Sequence, residues 1–390
     1  MSKALKILFV STSSGSQGGG ELCLVYQGRA LAKLGHQVTL WTSTHSRMDP
    51  LCEQFSEVGE VIRYDYTNTY DYKFRSLQHF TSIFKKDQGI IENWKKIAPD
   101  FIHLNKQNLE DGLDLVAALE YVDIPSIVFL HITQSASYLK AQYPGARDWV
   151  ARYFLNRYAG PIVTTTNRLD QLCDFLGRNH HIYGIDNGAT VPDADTYAQV
   201  RQEGRSRLQV DEDTFLIVGI GRLETQKRPD RFRDMAYKLQ KQIPGSVVLW
   251  VGAGRLEDEW QAWVKENDID ESRFRRIGWQ TNVFPYLAAS DLYLHPAEFE
   301  GMPFSLLEAM AWNNPCVIMD SLSRELHYFN KDVAMIASDG SDDWMSKALD
   351  PGSRDQLSKK ARSLIEQKFS IERMAQDYQA LYLETLAADQ

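Results

Sequence analysis

The feature that most constrains this 390-residue sequence is an alternation of short apolar runs with helical patterns, which occurs twice. In the first half, several runs are nearly continuous in apolar residues, as strands buried on both faces should be. We predict strands at Lys6–Thr12, Gln37–Ser43, Glu60–Tyr66, Phe101–Asn105, Ser126–His131 and Pro161–Asn167. Helical patterns lie between them at Gly19–Leu34, Glu110–Tyr121 and Arg147–Tyr158. This alternation predicts a parallel sheet with crossover helices, a Rossmann-like domain.

The same pattern restarts in the second half. Strands are predicted at Phe215–Gly221, Val247–Gly252, Asp291–His295 and Pro315–Asp320, and helices at Pro229–Gln242, Glu257–Glu266 and Phe304–Trp312. The polar segment Ala189–Gly204 interrupts the alternation, so we place the domain boundary at its start. The chain then divides into residues 1–187, residues 188–368, and a final helical segment 369–390 that we expect to cross back to the first domain.

Two such sheets predict an α/β fold in which two Rossmann-like domains face each other across a cleft. Ligands of open parallel sheets bind beyond the carboxyl ends of the strands. Residues that directly follow strands are therefore the candidate functional residues.

Charge and composition exclude several classes of function. The net charge is −9, which argues against a general nucleic-acid binder. The first 187 residues are neutral, so the remainder carries the whole excess of acid. The 4 cysteines show no zinc-binding spacing, and no apolar run has the length of a signal peptide or a membrane span. We therefore expect a cytoplasmic protein without a bound metal.

A glycine-rich turn follows the first predicted strand and precedes a helix. Its sequence runs from Ser13 to Glu21 and includes Gly19 and Gly20. Glycines let the backbone approach a ligand closely, and a helix N-terminus attracts anions. A dinucleotide-binding site is disfavoured, because the glycine spacing differs from G-x-G-x-x-G and the second strand ends without an acid to hold a ribose.

Basic residues follow the first strand of the second domain. Arg222 and Lys227 lie in the loop Gly221–Arg228, just before a predicted helix. An Arg fork and a Lys point charge both suit phosphate oxygens. A solvated basic loop is the alternative interpretation.

Two glutamates flank the start of a later helix. Glu300 lies in the loop after a strand, Glu308 lies on the helix that begins near Phe304, and Gly301 and Pro303 shape the turn between them. Carboxylates accept hydrogen bonds from sugar hydroxyl groups, so this pair suits a sugar and a ribose. Two solvent-facing glutamates at an arbitrary spacing are the alternative.

These segments together resemble the retaining GT-B glycosyltransferases, especially glycosyltransferase family 4. Glu300 to Glu308 resembles the family's motif of two glutamates separated by seven residues. The glycine loop, Asn187-Gly188, the Gly221–Lys227 block, Val251–Gly254 and the segment from Ser290 to Pro315 follow the family's pattern in order. The resemblance covers nearly the whole chain.

The resemblance implies a role for each matching residue. Glu308 would bind the ribose, and Arg222 and Lys227 would neutralise the diphosphate. Glu300 would contact the donor sugar, assisted by the backbone of Gly301, Met302 and Pro303. The Gly19–Gly20 turn would belong to the donor site, and His131 would lie near the transferred sugar. Taken alone, His131 is an ordinary hydrogen-bonded core histidine.

The implied reaction is transfer of a sugar from a nucleotide diphosphate sugar, with retention of configuration, in cell-surface glycan biosynthesis. No cofactor is implied, because protein cations neutralise the leaving group. The acceptor would be a glycan, a lipid-linked molecule or a small molecule. The basic segment 73–86, read as an amphipathic helix, is a candidate for peripheral contact with the inner face of a membrane. An ordinary helix packed on the sheet is the alternative.

The sequence departs from the family pattern at three places. Arg228 stands where the family usually has Gly, Asn314 precedes Pro315 in place of Gly, and Ala189-Thr190 replaces Val-Asp. Two other functions stay open. One is a nucleotide-sugar 2-epimerase of GT-B fold, and the other is a catalytically silent subunit that binds nucleotide sugar.

Overall fold

The computed structural model describes residues 4–15, 18–68, 87–297 and 299–388. It divides into two compact units, residues 1–187 with 371–390, and residues 188–370. The predicted segment 73–86 lies outside the described residues. Within those residues, no helix combines the length and the apolar character that spanning a bilayer requires.

The first unit is built on a parallel seven-stranded sheet. Its strands are β1 Lys6–Ser11, β2 Gln37–Ser43, β3 Glu60–Tyr64, β4 Phe101–Lys106, β5 Ser126–Leu130, β6 Ile162–Thr164 and β7 Ile182–Gly184. Their spatial order is β3-β2-β1-β4-β5-β6-β7. The helices are α1 Gly19–Lys33, α2 Asp49–Ser56, α3 Gln88–Ile97, α4 Leu113–Leu119, α5 Pro144–Arg157 and α6 Leu169–Leu176.

The second unit repeats this design with a parallel six-stranded sheet in the order β10-β9-β8-β11-β12-β13. Its strands are β8 Leu216–Ile220, β9 Val247–Val251, β10 Phe274–Ile277, β11 Leu292–His295, β12 Cys316–Met319 and β13 Met335–Ala337. Its helices are α7 Ala194–Leu208, α8 Pro229–Gln242, α9 Glu257–Glu266, α10 Phe284–Ala289, α11 Phe304–Ala311, α12 Asp320–Glu325, α13 Trp344–Leu349 and α14 Pro351–Lys368.

The apolar strand pattern explains both sheets. Every residue of β5 and β9 is buried, because helices cover both faces of each sheet. In each unit the strand order reverses at its first strand, which is the arrangement of a Rossmann-like domain. The predicted α/β class with two Rossmann-like domains is confirmed.

The last helix, α15 Ile371–Ala388, belongs to the first unit. It packs against α1 and buries two tyrosines. The Tyr382 ring lies 4.5 Å from the Phe101 ring, and its hydroxyl group lies 2.6 Å from His103 Nδ1 on β4. Helix α15 therefore completes the hydrophobic core of the first unit.

The polar segment predicted as an interruption is largely helical. Asp193 caps α7 by accepting a hydrogen bond from the Thr196 N–H at 2.7 Å. On this helix, Arg201 and Arg205 bind the two carboxylate oxygens of Asp291 at 3.0 and 2.7 Å. The helix is anchored through these ion pairs as well as apolar contacts, and a search for apolar periodicity misses it.

Candidate functional site

In the second unit, two loops interlock at the carboxyl edge of the sheet. The N–H of Gly221, just after β8, donates to the Val251 carbonyl at 3.0 Å, and the Leu223 N–H donates to the Ala253 carbonyl at 2.9 Å. A Cβ atom at Gly252 would lie 2.0 Å from the Gly221 carbonyl oxygen, and φ there is +139°. Glycine is therefore required where these two loops meet.

An ion pair joins the loop after β8 to the loop after β11. Lys227 Nζ contacts Glu300 Oε1, and the two side chains are 17% and 9% exposed. Gln226 adds a second link, since its amide donates to the Phe299 carbonyl at 3.0 Å. Lys227 and Glu300, which the family resemblance assigns to the same donor, are thus in contact. Arg222, in the same loop, extends an exposed side chain.

Helix α11 begins directly after this loop. Pro303 is its N-cap, and Met302 and Glu308 are buried, whereas Gly301 is partly exposed. The N-terminal end of a helix carries partial positive charge and favours an anionic or hydroxyl-bearing ligand. Glu300 precedes the helix, and Glu308 is the fifth of its eight residues.

A buried imidazole lies behind Glu300, and no sequence motif pointed to it. His295, the last residue of β11, has Nε2 3.9 Å from Glu300 Oε1 and Nδ1 3.4 Å from the Tyr293 hydroxyl oxygen. Burial, with the Lys227 charge adding to it, lowers the pKa of His295 to about 3. The available signal was a histidine ending an otherwise apolar strand beside the site loop.

In the first unit, hydrogen bonds link Gly20, Asn105 and His131 at the carboxyl edge of the sheet. Asn105 on β4 donates from Nδ2 to the Gly20 carbonyl at 3.1 Å, and its Oδ1 lies 2.9 Å from His131 Nε2. Burial lowers the pKa of His131 to about 4, although Asp111 and the Gly20 backbone oppose that shift. The imidazole is therefore neutral at pH 7, and Nε2 carries the proton that Asn105 accepts.

The Gly19–Gly20 turn starts α1 close to the loop after β4. A Cβ atom at Gly20 would lie 1.9 Å from Gln107 Oε1, so a larger residue would displace that side chain. Gly19 is exposed at the first turn of the helix. The close neighbour of the Gly20 backbone in the structure is therefore a protein side chain.

A buried charge pair holds that loop in place, and neither partner was predicted as a site residue. Lys106 Nζ lies 3.6 Å from Asp111 Oδ1, with both side chains at most 1% exposed. Asp111 also accepts hydrogen bonds from the Gln107 and Asn108 backbone N–H groups at 3.0 and 2.9 Å and from the Thr12 hydroxyl group. These bonds tie the loop after β4 to the end of β1, beside Gly20 and His131.

Two family models match the chain. The model described as Glycosyltransferase Family 4 matches residues 17–191, and the model described as Glycosyl transferases group 1 matches residues 214–351. Between them they cover most of both units, including every predicted site residue. The chain belongs to glycosyltransferase family 4.

Several curated glycosyltransferases are similar to this family-4 enzyme. The chain is 32% identical to the Escherichia coli UDP-Gal:alpha-D-GlcNAc-diphosphoundecaprenol alpha-1,3-galactosyltransferase over 27% of its length and 28% of the relative. It is 35% identical to the Escherichia coli K12 lipopolysaccharide 1,6-galactosyltransferase over 31% of its length and 33% of the relative. These matches span a third or less of either galactosyltransferase. A glycosyltransferase of Haemophilus influenzae matches at 23% identity over 96% of the chain and 99% of the relative.

Solved structures share the GT-B fold of this family-4 enzyme. Anabaena HepE in complex with UDP-glucose matches with a TM-score of 0.73 at 18% identity, covering 98% of this chain and 100% of that chain. Sucrose-phosphate synthase from Thermosynechococcus elongatus matches with the same TM-score at 17% identity, with the same coverage. The predicted assignment of this chain to the GT-B glycosyltransferases is confirmed.

Two departures from the family pattern have structural explanations. Arg228, where the family usually has Gly, adopts φ 49° and ψ 56° before α8 and binds Asp230 at 2.8 Å. This left-handed conformation is the one that glycine adopts without strain. Asn314 is buried, and its amide donates to the Leu287 and Ala309 carbonyl oxygens at 3.0 and 3.2 Å. Its side chain therefore ties α10 to α11.

Proposed function

We propose that this glycosyltransferase moves a sugar from a nucleotide diphosphate sugar to an acceptor hydroxyl group with retention of configuration. The observation that carries the proposal is the contact of Lys227 with Glu300 beside the start of α11. It places a cation suited to phosphate next to a carboxylate suited to sugar hydroxyls. Glu308 lies about one turn into the same helix, where it would accept hydrogen bonds from the ribose.

The proposed residues match the charges that the reaction develops. The bond between the anomeric carbon and the β-phosphate oxygen breaks, and the acceptor oxygen bonds to that carbon. The acceptor proton passes to the departing diphosphate. Arg222 and Lys227 would stabilise the negative charge that builds there, which is the role of fixed cations in such sites. Met302, Pro303, Gly19, Gly20 and His131 keep, within this proposal, the contacts that the family resemblance implies.

We propose UDP-galactose as the donor and a lipid-linked saccharide as the acceptor. Two galactosyltransferases are among the relatives, and one carries UDP-Gal and a diphosphoundecaprenol-linked sugar in its name. Such an acceptor lies at a membrane surface. Peripheral contact of a cytoplasmic enzyme, through the basic segment 73–86, is part of the proposal.

Thermal unfolding with UDP, UDP-galactose, UDP-glucose and GDP-mannose tests the donor. A ligand at about 100 times its dissociation constant stabilises the native state by roughly 2.7 kcal/mol. We expect UDP and UDP-galactose to raise the melting temperature and GDP-mannose to leave it unchanged. The anomeric configuration of the product, read by proton NMR, tests retention. Stabilisation by none of these compounds would remove the donor assignment, and conversion of donor to an epimer without acceptor would favour the epimerase.

A further inference from the structure

The imidazole of His295 faces Glu300 from inside the second unit. It is 2% exposed, and Nε2 lies 3.9 Å from Glu300 Oε1, beyond the usual hydrogen-bond range. Lys227 Nζ contacts that same oxygen. Within the described residues, His295 Nε2 has no hydrogen-bond partner. A buried polar group of this kind calls for an explanation, because leaving it unsatisfied is costly.

The surroundings of His295 allow its proton to lie on Nε2, the nitrogen that faces Glu300. Burial and the Lys227 charge lower its pKa to about 3, so the ring is neutral at pH 7 and carries one proton. The Tyr293 hydroxyl oxygen lies 3.4 Å from Nδ1. Burial raises the pKa of Tyr293 well above its usual range, so the phenol keeps its proton, which it can donate to His295 Nδ1 or to the Ile220 carbonyl oxygen at 3.5 Å. When the phenol donates to Nδ1, the ring carries its own proton on Nε2.

Lys227 has two anionic partners, Glu300 in the structure and the donor diphosphate in the proposed function. In the function proposed above, its ammonium group neutralises the donor diphosphate, yet here it contacts Glu300. A move toward the phosphate takes a cation away from a carboxylate whose side chain is 9% exposed. Loss of a cationic partner from a buried carboxylate is costly. A second donor near Oε1 removes that cost.

We propose that His295 is a positioning residue for Glu300, donating from Nε2–H to Glu300 Oε1 when Lys227 turns toward the donor diphosphate. The inference rests on the proposed donor role of Lys227. Glu300 thereby keeps its orientation toward the sugar while Lys227 neutralises the departing diphosphate. The ring transfers no proton and does not touch the donor.

Two matched substitutions separate this role from simple packing. In His295→Gln the side-chain amide reaches the Nε2 position, whereas in His295→Asn it reaches only the Nδ1 position. With UDP-galactose as the probe, we expect His295→Asn to lower kcat by roughly 10–100-fold, the effect of a hydrogen bond to a charged group. The KM should stay within about threefold, and His295→Gln should stay within about threefold of wild type in both constants. Equal losses in both variants, no loss in either, or a loss confined to KM would overturn the proposal.

A second measurement does not depend on donor turnover. In the full-length chain with ¹⁵N-labelled histidine, the signal missing from His295→Gln identifies this ring. We expect the Nε2–H tautomer in the wild type. Lys227→Met removes the cation without any donor, so the Nε2 proton should then move downfield as it bonds to Glu300. The shift should disappear when Glu300→Gln is added.

An Nδ1–H tautomer, or no shift with Lys227→Met, would overturn the inference. Failure of every nucleotide sugar to bind would count against the proposed function alone.

Discussion

The ammonium group of Lys227 contacts Oε1 of Glu300, and this ion pair links the loop after β8 to the loop after β11. In the proposed function, Lys227 serves the phosphate end of the donor and Glu300 serves the sugar end. The two ends of the donor site are therefore coupled through one contact.

Glu300→Gln should reduce sugar transfer far more than nucleotide binding. The amide keeps the shape of the side chain but loses the charge that holds Lys227. We expect kcat to fall by roughly 100-fold, a typical loss when one electrostatic contact to the transition state is removed. The dissociation constant for UDP, which lacks the sugar, should stay within about threefold. Steady-state kinetics and calorimetry measure both, with the exposed Glu266→Gln as the matched control. A kcat that survives in Glu300→Gln would contradict the assignment.

Glu308→Ala should weaken the nucleotide itself. Loss of a buried acceptor for ribose hydroxyl groups costs about 1–3 kcal/mol, which corresponds to roughly 5–150-fold in the dissociation constant. Titration calorimetry with UDP measures this directly. Uridine diphosphate affinity equal to wild type, in a variant with a normal circular dichroism spectrum, would remove Glu308 from the site.

Activity should survive a chelator. Arg222 and Lys227 supply the positive charge that a divalent cation supplies elsewhere, so EDTA should leave the rate of UDP release unchanged. Arg222→Ala should lower that rate by roughly 100-fold, since one fixed cation at the leaving group is lost. Loss of activity in EDTA, with recovery on adding Mg²⁺ or Mn²⁺, would show that the protein cations are insufficient.

Arg228 offers a test of backbone strain. Its φ of 49° is left-handed, and Cβ makes this conformation unfavourable by about 1 kcal/mol or more. Arg228→Gly and Arg228→Ala both lose the ion pair to Asp230, but Gly relieves the strain and Ala keeps it. We expect the Gly variant to unfold with a free energy about 1 kcal/mol higher than the Ala variant. Equal stabilities in urea would indicate that the backbone relaxes without cost.

Buried histidines in the first unit should make it sensitive to acid. Burial lowers the pKa of His103 to about 3 and that of His131 to about 4, from an ordinary value of 6.5. The unfolded chain then binds more protons below pH 6.5, so the free energy of unfolding falls as the pH drops toward these values. Asp114 acts in the opposite sense, because burial raises its pKa to about 6 and the folded state takes up its proton first.

His103→Asn should reduce that sensitivity. The amide occupies the Nδ1 position and keeps a partner for the Tyr382 hydroxyl group, but it does not titrate. The difference in unfolding free energy between pH 7 and pH 4 should shrink by roughly 3 kcal/mol. Urea unfolding at the two pH values measures it, with the exposed His180→Asn as control. An unchanged difference would exclude His103 as a source of acid lability.

Elements with strong apolar periodicity were predictable. Strand Gln37–Ser43 and helices Pro229–Gln242 and Glu257–Glu266 have the predicted bounds. The edge strand β10 was missed, because its four residues include Arg275 and Arg276 and show no apolar run. Helix α7 was missed for a related reason, since its anchor is a pair of arginines bound to Asp291, some 90 residues away along the chain. Periodicity detects burial on a face but not a distant ionic partner.

The candidate site was predictable only where a residue follows a strand within a recognisable motif. Lys227 and Glu300, both singled out from the sequence, contact each other. Asn105 and Asp111 were missed because each acts through another residue, holding a backbone or a loop in place. His295 was missed for the same reason, since its proposed role is to hold a carboxylate. Such positioning contacts depend on which strands are neighbours in space, and a linear motif does not contain that information.

The placement of α15 has a consequence for synthesis of the chain on the ribosome. His103 on β4 lies against Tyr378 and Tyr382, which are made after the whole second unit. At roughly 5–20 residues per second, the nascent first unit waits about 10–40 s with this apolar surface uncovered. The second unit, residues 188–370, is contiguous and can complete its core during that interval. Biosynthesis should therefore finish the later unit before the earlier one, and the uncovered surface along α1 and β4 is where a chaperone would be needed.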